Sequence, residues 1–145
     1  MPPPTMAKLA ETATGARVNR RIEQLSAENI IIGGDFNFVA DYQRDSNYLH
    51  QNNPRASEVF SKIIDTYKLV DCWIAMKPNT NGFTWMRQNP LKYGRLDRLY
   101  VEEHLISHVT TVNIHSGYRS DHNMVYLWLR EPQKKRGPGI WKFNE

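Results

Sequence analysis

Three places in the chain carry side chains able to bind a cation, move a proton or donate to an anionic group. Asp35 and Asn37 follow Ile30-Ile31-Ile32-Gly33-Gly34, Asp97 stands within Arg95-Leu96-Asp97-Arg98, and Asp121-His122 follows Gly117-Tyr118-Arg119-Ser120. Each has a plainer account. Asp35 and Asn37 fit an Asp-x-Asn turn after an ordinary strand, Asp97 fits an ion pair with Arg95 or Arg98, and Asp121-His122 fits a turn cap beside a surface histidine. No one of the three decides the matter alone. Their order and separation do more, with 62 residues from Asp35 to Asp97 and 24 from Asp97 to Asp121.

The elements that must position these residues can be read from periodicity. Three consecutive β-branched residues at Ile30–Ile32 suit a short strand buried on both faces, and the glycine pair lets the backbone turn sharply near a ligand. In an extended segment Asp35 and Asn37 point to one side while Phe36 enters the core, so a carboxylate and a carboxamide face one cleft. Ahead of this strand, Val18, Ile22 and Leu25 recur at helical spacing and predict an amphipathic helix over 16–28. Asp41 to Pro54 is polar and predicts a surface loop near the cleft. A second helix is expected over 56–67, with Val59, Phe60, Ile63 and Ile64 on one face.

Leu69 to Ile74 fits either a short strand or the end of that helix. Asn79-Thr80-Asn81-Gly82 is a turn, and strands are expected over Phe83–Met86, Arg95–Val101, Val109–Ile114 and Met124–Leu129. Alternation along Arg95–Val101 sets Asp97 opposite at least one core residue. Asp121-His122 then falls on a loop-to-strand edge, where functional residues concentrate. The whole reads as a mixed α/β domain.

Composition narrows the partners. The 145 residues suffice for one domain with a real core and leave no room for a second full one. Nothing approaches the roughly 20 apolar residues that cross a bilayer, so no membrane association is expected. Residues 1 to 15 carry no secretory pattern and no periodicity, and are expected to form a disordered lead-in. A single cysteine, Cys72, fits a reducing intracellular setting, nuclear or cytoplasmic, and a small core position. The formal charge of +4 favours a polyanionic partner, weakly. After Pro132 the composition turns to Gln133-Lys134-Lys135-Arg136-Gly137-Pro138-Gly139, a basic linker spanning 132–145 and closing the domain at about residue 131.

In order along the chain, Gly34-Asp35-Phe36-Asn37, Phe83-Thr84-Trp85, Arg95-Leu96-Asp97-Arg98 and Ser120-Asp121-His122 resemble the endonuclease/exonuclease/phosphatase superfamily, the DNase I-like fold of abasic-site endonucleases. Among its branches the chain is most similar to the endonuclease domain of non-LTR retrotransposons. There a segment like Gly137-Pro138-Gly139-Ile140-Trp141-Lys142-Phe143-Asn144 leads into a reverse transcriptase, which this chain does not contain. The resemblance implies a metal-dependent endonuclease acting on DNA phosphodiesters, with Mg²⁺ as cofactor and Mn²⁺ as the alternative. It also implies that Asp35 positions or deprotonates the attacking water, Asn37 contacts the scissile phosphate and Asp97 orients His122. His122 would hold the phosphate, and Asp121 would bind the metal. Physical chemistry agrees: phosphodiester hydrolysis needs a base, a cation and donors on the non-bridging oxygens, and hard Mg²⁺ prefers carboxylate oxygens to imidazole.

The resemblance covers residues 16 to 145, the C-terminal half of a two-sheet α/β sandwich. The family's first half supplies an Asn, a metal-binding Glu and a Tyr or His, and nothing in residues 1 to 15 matches them. The alternative is accordingly a catalytically inactive relic with weak nucleic-acid binding, and behind it stands a phosphatase of the same superfamily, which the basic tail disfavours. The architectural expectation is a central sheet of about five strands with both helices on one face. The second sheet is expected to be missing or incomplete, leaving the other face with exposed apolar surface.

Overall fold

The computed structural model describes residues 5–8, 15–25, 28–117 and 119–130. In chain order the elements are β1 (Thr5–Lys8), α1 (Gly15–Leu25), β2 (Ile30–Asp35), α2 (Tyr42–Asp45), α3 (Pro54–Thr66), β3 (Leu69–Asp71), α4 (Cys72–Met76), β4 (Trp85–Arg87), β5 (Lys92–Gly94) and β6 (Asp97–Glu102). A 3-10 helix, Glu103–His108, then leads to β7 (Val109–His115) and β8 (Met124–Leu129). The main sheet has the order β1-β2-β6-β3, with β1 parallel to β2 and β6 antiparallel to both β2 and β3. Two hairpins, β4–β5 and β7–β8, form separate two-stranded sheets.

Ile30, Ile31 and Ile32 are no more than 3% exposed, and strand alternation divides them between two cores. Ile30 and Ile32 pack with Val18 and Ile22 of α1, Phe60 and Ile63 of α3, Leu69 and Tyr100. Ile31 lies with Cys72 and Trp73 of α4, Val101 of β6, Leu105, and Val109 and Val112 of β7. Each fully buried side chain of this kind contributes about 1.5–3 kcal/mol. These two cores put helices on one face of the sheet and the β7–β8 hairpin, α4 and the 3-10 helix on the other. The mixed α/β architecture is therefore as the sequence implies, but the expectation of a bare face is corrected. This chain covers both faces of a four-stranded sheet, and its second sheet consists of two strands. Exposed apolar side chains are found instead at Leu49, 83% accessible, and on β8, where Trp128 is 65% and Met124 61% accessible.

Three local expectations also change. Residues 1–15 were expected to lack structure, yet Thr5–Lys8 pairs with Ile30–Gly33 as an edge strand; Ile30–Ile32 offers a continuous ladder, and backbone pairing needs no side-chain pattern of its own. The polar stretch Asp41 to Pro54 contains α2, capped by Asp41, and its Asp45 is only 2% exposed. Leu69 to Ile74 divides, because Asp71 Oδ1 accepts from the Trp73 and Ile74 amides at 3.0 and 3.3 Å and starts α4 directly after β3. Helix α3 begins as its sequence directs, with Asn53 at the N-cap and Pro54 in the first turn. The basic stretch 132–145 lies outside the described residues. Among the described residues no helix is long and apolar enough to cross a membrane.

Candidate active site

The pairing of β2 with β6 sets Asp35 directly across from Asp97, where both strands meet the edge of the sheet. Two carboxylates opposite one another repel, so a site of this form needs a cation or a positive donor between them. The chain leaves β2 by a turn rather than as an extended strand. Gly34 has φ 153°, a region that favours glycine, and Asn37 has φ 49° in the left-handed region that its short polar side chain tolerates. The Asn37 amide donates to Asp35 Oδ1 at 2.8 Å. Strand alternation therefore does not place Asn37, as the sequence led us to expect; the turn does, and its side chain is exposed. Phe36 does enter the core, with ring centroids 4.4 Å from Phe60 and 5.5 Å from Tyr100, and its amide donates to Leu96 O.

His122 reaches the same edge from the segment before β8. Its Nδ1 lies 2.8 Å from Asp97 Oδ2. The segment is held by backbone bonds to the β4 region: Met86 N donates to Asp121 O at 2.9 Å, and Asn123 N donates to Thr84 O at 2.6 Å. The loop before it needs Gly117, because a Cβ there would collide with the backbone carbonyl oxygen of His122. Asp121 is anchored separately, its Oδ2 accepting the Trp85 indole N–H at 2.9 Å. Thr84 is fully buried, and its Oγ1 accepts from both the Leu96 and Asp97 amides at 2.9 Å.

One ligand atom each from Asp35, Asp97 and His122 lies within 4.8 Å of the others. Asp121 is not part of that triangle, having turned to Trp85, although its charge still acts on the imidazole. Burial is the largest influence on His122 and pulls its pKa down. The hydrogen bond and charge of Asp97, with Asp35 and Asp121, together outweigh it and hold the imidazole above its ordinary value. A hydrogen bond from Nδ1–H to Asp97 fixes the ring and leaves Nε2 as the nitrogen that can meet a ligand. Such an arrangement can stabilise or neutralise negative charge developing on an oxygen.

The plainer account of Asp97, an ion pair with Arg95 or Arg98, does not hold. Arg95 instead makes a fork to Asp45, with Nε to Oδ1 and Nη2 to Oδ2 both at 3.0 Å, and a third bond to Asp71 Oδ2 at 2.7 Å. Burial pulls the Arg95 pKa down most, but the Asp45 hydrogen bond and the charges of Asp71 and Asp45 raise it on balance. Arg98 is also buried, stacked over Phe38 at 4.7 Å, with Nη2 donating to the carbonyls of Phe38 and Arg95. Asp45 and Asp71 were not singled out from the sequence, and Thr84 was named only as part of the Phe83-Thr84-Trp85 motif, with no role for its hydroxyl. Asp45 sits in a polar, aperiodic stretch that reads as solvated, and the signal available for Asp71 was its position just before a helix.

The Endonuclease/Exonuclease/phosphatase family profile matches residues 2–122. The chain is 33% identical, over an alignment of 141 residues covering 90% of it, to the Transposon TX1 uncharacterized 149 kDa protein of Xenopus laevis, of which it spans 11%. Among solved structures it is similar to a 3'-5' exonuclease (NExo) of Neisseria meningitidis, with TM-score 0.64 and 19% identity over 79% of this chain and 51% of that one. It is also similar to the endonuclease domain of TRAS1, a telomere-specific non-LTR retrotransposon, with TM-score 0.62 and 15% identity over 90% of this chain and 59% of the other. The AP endonuclease LMAP of Leishmania major gives TM-score 0.59 and 24% identity over 70% of this chain and 35% of its own. The chain thus spans about a third to three-fifths of these structures and a ninth of the transposon protein.

Proposed function

The chain belongs to the Endonuclease/Exonuclease/phosphatase family, and from that premise we propose that it is the DNA-acting, metal-dependent endonuclease part of a retrotransposon-type protein. The observation that carries this reading is the Asp97–His122 hydrogen bond of 2.8 Å standing across from Asp35. In it, Asp35 orients or deprotonates the attacking water, and Asp97 fixes His122 so that Nε2 faces a phosphate oxygen. Asn37, held beside Asp35 by its amide, offers a carboxamide donor to the same phosphate.

The donor set fits a hard divalent cation, since Asp35 and Asp97 bring carboxylate oxygens within 4.8 Å of one another and of His122, and Asp121 adds a carboxylate next to His122 in the chain. Asp121, with Oδ2 committed to Trp85 and Oδ1 not engaged by it, is the residue that would hold Mg²⁺ or Mn²⁺. When bound, such an ion supplies a positive centre that neutralises phosphate charge. The chain's own residues orient the water, hold the phosphate and retain a proton on His122. The segment 132–145 is read as the junction toward a reverse transcriptase, in keeping with the transposon protein as a relative.

A single carboxylate binds Mg²⁺ poorly, and mispositioning by about 1 Å costs on the order of 100-fold in rate. The expected result with supercoiled plasmid and Mg²⁺ is weak or undetectable nicking, any of which stops with chelator and with Asp121→Ala. DNA binding should be sequence-independent and fall steeply with added salt, as counterion release by those Lys and Arg side chains that reach phosphates requires. Cleavage that persists in Asp121→Ala, or a preference for phosphomonoesters over DNA, would overturn this assignment.

A further inference from the structure

We propose that Thr84 is a positioning residue for the Asp97–His122 pair, acting through its hydroxyl on the backbone that carries Asp97. This rests on the reading of that pair as the reacting centre. A hydroxyl oxygen has two acceptor lone pairs, and both are used here, one for the Leu96 amide and one for the Asp97 amide. The ladder between β3 and β6 runs only from Tyr100 to Glu102, so at the start of β6 the Thr84 hydroxyl stands where a strand carbonyl otherwise would. The main chain of the same residue serves the other partner. Thr84 O accepts from Asn123 N at 2.6 Å, beside His122, and Thr84 N donates to Gly94 O at 3.0 Å.

One fully buried residue thus grips both the strand bearing Asp97 and the segment bearing His122, and the gap between the two side chains is set by its dimensions. Valine has nearly the same shape and no acceptor, so it leaves two amides without a partner and frees the start of β6 to shift. Serine keeps the acceptor and loses only a methyl group.

The test compares Thr84→Ser and Thr84→Val with the native chain by NMR and by plasmid nicking. The imidazole Nδ1 proton of His122, sheltered by Asp97, is expected as a slowly exchanging downfield resonance in the native chain and in Thr84→Ser. In Thr84→Val it should be lost, with kcat lower on the order of 100-fold and KM nearly unchanged. A merely structural role would lower the melting temperature and leave both the resonance and kcat of the folded protein in place, which would overturn the proposal. Should Thr84→Val fail to fold, amide exchange in the native chain decides. Protection of the Leu96 and Asp97 amides that survives in Thr84→Ser supports the assignment, and rapid exchange of either amide in the native chain refutes it. If no form cleaves DNA, the resonance and the exchange rates still answer for Thr84 while the hydrolase reading alone fails.

Discussion

Arg95 and Asp97 are two residues apart, and each belongs to a cluster of opposite charges, but the clusters differ in what surrounds them. Around Arg95, the Asp45 and Asp71 carboxylates are drawn out of water, and the Arg95 and Asp45 side chains are each 2% exposed. The groups there are tied to one another through the two-bond fork, the bond to Asp71, two bonds from Arg44 Nε and Nη2 to Asp45 at 2.9 and 3.2 Å, and the Arg98 guanidinium 3.8 Å from Asp45. Around Asp97, by contrast, the pairing is half-open: His122 is 33% and Asp97 20% exposed, and Asp35 opposite is exposed. Two acids and one imidazole leave an excess of negative charge facing solvent. A saturated cluster fixes the fold, and an unsaturated one has capacity left for a ligand.

The largest expected effect comes from breaking the first cluster. Asp45→Ala removes the fork and the Arg44 bonds and leaves the buried Arg95 with Asp71 alone, which should cost about 3–5 kcal/mol. Urea unfolding measures it, and a loss below about 1 kcal/mol would mean that the cluster does not anchor the fold. Against this, His122→Ala should leave unfolding close to native while lowering any phosphodiester cleavage on the order of 100- to 10,000-fold. An equal loss of stability in the two variants would erase the distinction between the clusters.

The pH dependence of stability separates them with opposite signs. For Asp45, burial is the largest influence and favours the neutral acid, but hydrogen bonds from Arg44 and Arg95 and their charges outweigh it and lower the pKa. Its stabilisation is therefore present above the ordinary carboxylate value of about 3.9 and lost as pH falls through the lower folded value. His122 has a raised pKa, so its contribution is present below about 6.5 and disappears as pH rises through the higher folded value. Unfolding midpoints across pH should show the acid limb removed by Asp45→Asn and the alkaline fall removed by His122→Gln. The smallest effect is expected at the exposed Lys62–Glu58 pair, 2.8 Å apart with side chains 71% and 67% accessible. Lys62→Ala should produce no resolvable change in melting temperature, because solvent screens the pair.

Much of the framework was legible because short-range patterns carry it. The isoleucine run forms β2 and the apolar run forms β8 over Met124–Leu129 as read. The helical spacings became α1 and α3 with ends shifted by a few residues. Asp35, Asp97, Asp121 and His122 could be picked out because each stands at a strand end or beside a turn. What escaped was whatever depends on long-range partners. Asp45 gave no local sign of burial, since its partner Arg95 lies 50 residues away. Thr84 belongs to the Phe83-Thr84-Trp85 motif, but the role of its hydroxyl is hidden until the start of β6 is folded against it.

The sequence by itself determined the alternation that buries Ile30–Ile32 on two faces, the helical spacings of α1 and α3, and the order of the acids along the chain. Those are consequences of backbone period and local hydrogen bonding, which extend over a few residues. The family resemblance implies that Asp97 orients His122, but residue order and spacing leave Arg95 open as its partner; the tertiary structure decided for His122 and turned Asp121 to Trp85. Those choices depend on register between β2 and β6 and on docking of the segment before β8 against Thr84. Register is fixed by burial of the whole sheet, and no window of sequence contains that information.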